Sequence, residues 1–325
     1  MTAGTRPIYL DYASTTPVHP RVLQAIEPYL RQEFGNPSSL SPLGRRAAEA
    51  RERARAQVAG ALGCHDDEVV FTSGGSESDN LALKGVALAQ RSKRHLVTTT
   101  IEHSAALGAA RDLQEHFGVA VTYVPVGESG IVDPEAIAAA IRPDTLLVSV
   151  MLANNEIGAI QPVAEIARLT RERGVLMHTD AVQAAGFLDL GVAGLGVDLL
   201  SLSAHKFYAP KGVGVLYVRR GTALVPLIHG GDQERHRRAG TENLAGIVGC
   251  GAALDLVEEH RPATCARLTA LRDRLIAGIE ATVPGAVLNG SRRQRLPNNA
   301  NFCFHDRSEE RRVGKECRSR WSPYH

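Results

Sequence analysis

The sequence predicts an α/β fold built on a mostly parallel seven-stranded sheet with helices on both faces, and three observations predict it. Seven short β-rich runs alternate with Ala/Leu-rich stretches of helical period between residues 68 and 218. Runs in that order need crossover helices, which cover both faces of a parallel sheet. Nearly every polar cluster in this part of the chain follows directly on one of the runs, where open α/β sheets bind ligands.

The strands are expected at 69–72, 96–99, 121–124, 146–151, 175–178, 199–202 and 213–218. The polar clusters at their ends are Ser73-Gly74-Gly75-Ser76-Glu77, Glu102-His103, Asn154-Asn155-Glu156, Asp180 with Gln183, and Ser203-Ala204-His205-Lys206. Farther on, residues 262–279 read as a long amphipathic helix, and 298–304 begin a strand of a second, smaller unit. The expected organisation is a large domain over 15–258 and an incomplete small α/β domain made of 1–14 and 259–306. Internal repeats and low-complexity segments are absent.

Composition narrows the class. A chain of 325 residues with 44% hydrophobic content can bury a large core. No apolar run approaches the ~20 residues of a membrane span, and residues 1–6 lack a signal pattern, so a cytoplasmic protein without membrane contact is expected. Cys64, Cys250, Cys265, Cys303 and Cys317 form no CxxC or Cys/His cluster, which implies reduced thiols and no metal site. Cys303 lies in the expected last strand and reads as a buried core thiol. Residues 307–325 have no period, hold the only Trp and match the translation of a sequencing-adapter oligonucleotide, so they are set aside as a non-native tail. Six of the 37 basic and three of the 35 acidic residues fall there, leaving 31 against 32 and no basicity that would suggest nucleic-acid binding.

The segment from Phe71 to Leu81 runs from strand through a small-residue turn into a helix, an arrangement whose free N–H groups suit a phosphate or simply cap a helix. It lacks both the P-loop and the GxGxxG patterns, which counts against nucleotide cofactors. Lys206 leaves an apolar strand at the crevice, where a desolvated amine can form a Schiff base; alone it could equally be a surface lysine. Asp180 supplies the acidic partner that a pyridinium nitrogen needs, or else a helix N-cap. His103 can stack on a flat ring or shuttle a proton, and can also be a capping histidine. Asn155 and Gln183 offer hydrogen bonds at two further strand ends. The combination on successive strand ends is what chance rarely supplies.

On these residues the chain resembles the class V aminotransferase-like, fold type I pyridoxal-phosphate (PLP) enzymes, and among them the cysteine desulfurases of the nitrogen-fixation and iron-sulfur-cluster type. The likeness runs from Tyr9-Leu10-Asp11-Tyr12-Ala13-Ser14-Thr15-Thr16-Pro17 to Phe304 through Phe34-Gly35-Asn36-Pro37-Ser38, Asn154-Asn155-Glu156-Ile157-Gly158, His178-Thr179-Asp180-Ala181-Val182-Gln183 and Arg237-Arg238-Ala239-Gly240-Thr241-Glu242-Asn243. It implies PLP held by Lys206, which also carries the substrate α-proton. Asp180 would pair with the ring nitrogen, His103 stack on the ring, and Asn155 and Gln183 bond its phenolic oxygen, Asn155 also meeting the substrate. Gly75, Ser76, Ser203 and His205 would hold the phosphate, Thr241 would reach the phosphate of the other subunit of a homodimer, and Arg238 would orient the substrate carboxylate.

The implied reaction takes L-cysteine to L-alanine, with sulfur passed to an enzyme cysteine as persulfide and then to a sulfur acceptor or iron-sulfur scaffold protein. In such enzymes that cysteine and a carboxylate-binding arginine lie in the C-terminal region, and neither motif is found before residue 306. The chain as written is therefore expected to lack turnover, and Phe302 and Phe304 to lie on an uncovered strand edge. A selenocysteine lyase, another enzyme of this fold, or a non-catalytic partner-binding module are the alternative readings.

Overall fold

The computed structural model describes residues 8–90 and 92–304, so the tail set aside above, with Cys317, lies outside the described residues. Two helices come first. Pro20 and Pro42 sit in their opening turns, where the missing N–H is no loss, and give α1 (Pro20–Arg31) and α2 (Pro42–Leu62). Ser41 Oγ caps α2 by accepting from the Gly44 N–H, and Gly63, at φ +63°, ends it.

The expected alternation follows. It comprises β1 (Val69–Thr72), α3 (Gly75–Ala89), β2 (His95–Thr99), α4 (Ser104–Phe117), β3 (Ala120–Val124), α5 (Pro134–Ala140) and β4 (Thr145–Ser149). Then come α6 (Val163–Glu172), β5 (Leu176–Asp180), α7 (Val192–Leu195), β6 (Leu199–Ser203) and β7 (Gly214–Val218). The strands form one sheet in the order β1-β7-β6-β5-β4-β2-β3. Every pair is parallel except β7 with its neighbours β6 and β1. Being antiparallel to both, β7 leaves β1 running with β6, so the ends of β1, β2, β4, β5 and β6 all open on one side.

Side-chain alternation feeds two cores, one on each face. Phe71, Val97, Val148, Met177, Leu200 and Val215 join the core that α1, α2 and α6 cover. Their sequence neighbours Val70, Leu96, Leu147, Leu199 and Leu216 join the core under α3 and α4. Burial on both faces is why these strands read as continuous apolar runs.

The helix expected over 262–279 is longer than its period suggested. It is α8 (Leu244–Thr282), 39 residues that pass through Pro262 without a break. A proline removes one backbone donor, and here the buried first half holds the helix across that defect. The boundary expected between 258 and 259 falls inside it. Beyond it, β8 (Ala286–Leu288) pairs antiparallel with β9 (Phe302–Phe304), the shortened form of the strand expected at 298–304. Cys303 is exposed, not buried as expected, because this two-stranded sheet lies outside the buried core clusters and its Sγ meets the polar side chain of Asn289, at 3.1 Å. Phe304 beside it is also exposed. No helix among the described residues is long and apolar enough to cross a membrane.

Candidate active site

The turn after β1 is shaped by what cannot fit there. A Cβ on Gly75 would come within 2.9 Å of Val182 Cγ2 and 3.3 Å of Ser203 Cβ, so glycine lets the start of α3 lie directly against the ends of β5 and β6. Gly214 does the same from β7, where a Cβ would sit 2.6 Å from the Gly74 carbonyl carbon. Glu77 accepts from the Ser73 N–H at 2.9 Å, leaving the exposed Ser76 and the first N–H groups of a 15-residue helix facing the crevice, with Ser203 beside them. Free helical N–H groups of this kind suit an anion.

Lys206 ends the short 3₁₀ turn Ala204–Lys206 that continues from β6. Its Nζ donates to the carbonyls of Ala13 at 2.6 Å and Ser14 at 2.7 Å. Burial lowers its pKa from the ordinary lysine value, while Asp11 and Asp180 pull the other way. His205 is half-buried, shares a hydrogen bond of 3.0 Å with Thr15 Oγ1, and is pushed down to about 4 by burial and then by the charges of Lys206 and Lys211. It is a neutral imidazole at physiological pH. Gln183, buried, also reaches the Ala13 carbonyl, at 3.0 Å. The stretch from Asp11 to Thr16, partly assigned to the small domain from sequence, thus lies across the lysine turn.

Asp180 is buried at the end of β5, and its Oδ1 accepts from the Val182 N–H at 2.9 Å, capping a turn rather than a helix. A carboxylate oxygen of Asp180, one of Asp79 and a ring nitrogen of His103 lie within 4.8 Å of one another. His103 is exposed, and its Nδ1 accepts from the Ala105 N–H at 3.1 Å, so it both caps α4 and faces the acidic end of the crevice. Asn155 is half-buried on the turn after β4.

Two acids given no role from sequence are prominent here. Asp79 projects from α3 into the sheet, with Oδ1 lacking any hydrogen-bond partner and lying 3.7 Å from His178 Nε2. Burial pushes the His178 imidazole down to about 3, so it is neutral and its nitrogens engage Ser149 and Ser201. Burial and then the charge of Asp180 hold Asp79 well above the usual carboxylate range. Burial raises Asp180 as well, opposed there by the Val182 N–H, His103 and Lys206, so Asp79 is the acid of the pair that holds its proton more tightly. Glu102, also buried, accepts from Thr99 Oγ1 at 2.6 Å and from the Met151 N–H at 3.0 Å, and burial pushes it up to about 8. It ties the end of β2 to the end of β4, which sets His103 beside the Asn154 turn. Asp79 was hidden because one acid inside a helix has no sequence signal; Glu102 stood next to His103 but gave no sign of facing inward.

The loop after β7 brings Arg238 to the phosphate turn, where its guanidinium bonds Glu77 at 2.9 and 3.3 Å. Thr241 lies exposed on the same loop. Lysine, carboxylate, imidazole and free helical N–H groups thus share one crevice, and this donor set fits PLP: an amine for its aldehyde, an acid for its ring nitrogen and the N–H groups for its phosphate.

Comparison with known proteins finds relatives over most of the chain. The family model "Aminotransferase class-V" matches residues 8–320. A protein named cysteine desulfurase IscS, from Dictyoglomus turgidum, is 50% identical over 300 residues, which are 92% of this chain and 76% of that one. The structure of a NifS-like protein superposes with a TM-score of 0.88 at 40% identity, covering 91% of this chain and 81% of the other. A structure described as SspA in complex with cysteine gives 0.83 at 39%, covering 92% and 84%.

Proposed function

The chain belongs to the class-V aminotransferase family and, within it, to the cysteine desulfurases, and we propose that its strand-end crevice binds PLP and L-cysteine with Lys206 as the central catalytic group. The observation that carries the reading is the Lys206 amine, its pKa lowered by burial, held on the Ala13 and Ser14 carbonyls within reach of the charge of Asp180 and next to the Gly75–Ser203 turn. When bound, PLP supplies an electron sink next to the substrate α-carbon.

The chain's own residues supply the rest. Lys206 Nζ would hold the cofactor by its aldehyde and is the amine placed to move the substrate α-proton. Asp180 would hold the ring nitrogen, with Asp79 behind it holding its own proton more tightly. His103 would stack on the ring, while Asn155 and Gln183 would bond the phenolic oxygen and Asn155 would also meet the substrate. Gly75, Ser76, Ser203 and neutral His205 seat the phosphate, with Thr241 serving the seat of the other subunit in a homodimer. Arg238 acts on this seat through Glu77. A protein thiolate would attack the substrate sulfur as the Cβ–S bond breaks, the bonding pair staying with the carbon side, which takes up a proton to leave as L-alanine. The sulfur of the resulting cysteine persulfide would go on to an acceptor or iron-sulfur scaffold protein. Burial pushes Cys64 and Cys250 up to about 12, which makes both poor candidates for that thiolate.

The test is to incubate the protein with PLP, reduce with borohydride and map the peptides. The expected label sits on Lys206 and vanishes in Lys206→Ala. A label on another lysine, or one that survives the substitution, overturns the assignment.

A further inference from the structure

Three consecutive non-glycine residues between β7 and α8 adopt left-handed backbone: Glu234 at φ +47°, Arg235 at +55° and His236 at +63°. Residues with a Cβ seldom sit there singly, and three in a row are held only where the surroundings over-determine the conformation.

The fixing contact is in the core. The side chains of Arg55 and Glu234, 2% and 1% exposed, meet through two hydrogen bonds of 2.9 and 2.8 Å. Both ends of this pair also grip β1: Glu234 accepts from the Phe71 N–H at 2.8 Å, and Arg55 donates to the Val69 carbonyl at 2.9 Å. One helical turn earlier on α2, Arg51 pairs with Glu242 at the far end of the same loop. Between these anchors, Gly240 N–H donates to Gln233 at 3.0 Å and Arg238 engages Glu77, the residue that caps Ser73 just before α3.

We propose that Glu234 is a positioning residue: its buried ion pair with Arg55 holds the left-handed kink that sets Arg238 on Glu77 and so fixes the N-terminus of α3. This rests on the reading of that N-terminus as the PLP phosphate seat, and extends it to a residue that never meets the cofactor.

The test uses Arg55→Met/Glu234→Leu, which removes both charges together and leaves no lone buried ion. Trypsin cleavage after Arg237 and Arg238 is mapped by mass spectrometry on cofactor-free protein, and PLP affinity is titrated separately. Release of the kink should raise cleavage at these two sites and weaken PLP binding, each by about tenfold. Adding Arg235→Gly and His236→Gly, residues at ease at positive φ, should return affinity toward wild type. Wild-type cleavage and affinity in the double variant overturn the proposal, as does faster cleavage spread evenly over the chain. The two glycine substitutions in an otherwise unchanged protein give an independent check: they should raise Tm by relieving strain, and a fall in Tm argues against a strained kink. Because cleavage is read without cofactor, a wild-type protein that bound no PLP would sink the functional reading while the cleavage pattern still decided the role of Glu234.

Discussion

The two halves of α8 form one unbroken helix and do different work. Its first half buries Leu244, Ile247, Cys250, Leu254 and Leu256 against α1, α2 and the turn that carries Lys206. Past Pro262, only Ile276 is buried, and Leu271 and Leu275 face outward. The second half is fastened by polar bonds instead: Arg272 donates to the carbonyls of Arg295 and Leu296 at 3.1 Å. Arg295, itself buried, donates to the carbonyls of Ser291 and Asn289 and to Asn299 Oδ1. Asn299 in turn donates to the Glu156 carbonyl at 2.8 Å, on the turn that bears Asn155. Helix continuity is thus a local backbone property, whereas what each half contributes depends on the surface laid across it.

Mutation can break or sharpen this contrast. The largest effect is expected from Leu254→Ala, which should cost about 3 kcal/mol in denaturant unfolding, against less than about 0.5 for the exposed Leu275→Ala. Equal losses would mean that the second half is packed as tightly as the first. Next, Arg295→Ala takes the donor from the half-buried Ser291 and Asn289 carbonyls and from Asn299 Oδ1 and should cost about 2 kcal/mol. Hydrogen exchange should then rise within residues 286–304 while β4 and β5 stay protected; faster exchange in the sheet would refute the separation of the two regions.

A smaller effect, confined to the sheet region, is pH-dependent. Glu102 keeps its proton to about 8 when folded, so it stabilises the fold fully below the ordinary glutamate pKa of 4.5 and loses that contribution as pH rises toward 8. Glu102→Gln mimics the protonated acid and should flatten the fall in stability over that window. An unchanged pH profile of Tm would show that Glu102 is already ionised.

Much of this was legible from the chain. All seven sheet strands fall within two residues of the apolar runs, because the six other than the edge strand β3 are buried on both faces and need apolar residues at most positions. Lys206, Asp180, His103 and the Gly75 turn were visible because they follow those runs directly. The length of α8 was not, since a proline is a strong sequence stop that packing can override. Neither was the exposure of Cys303, because an apolar strand of three residues does not tell which side will be covered.

By itself, then, the sequence determined the order of strands and helices and the identity of the residues at the strand ends, since both depend on periodicity and on neighbours in the chain. The tertiary structure alone decided which acid holds its proton more tightly, that Ala13 and Ser14 lie on Lys206, and that Arg55 anchors a loop 179 residues away through Glu234. Charge state and anchoring depend on burial and on groups a few ångströms distant in space, and distance along the chain carries no record of either.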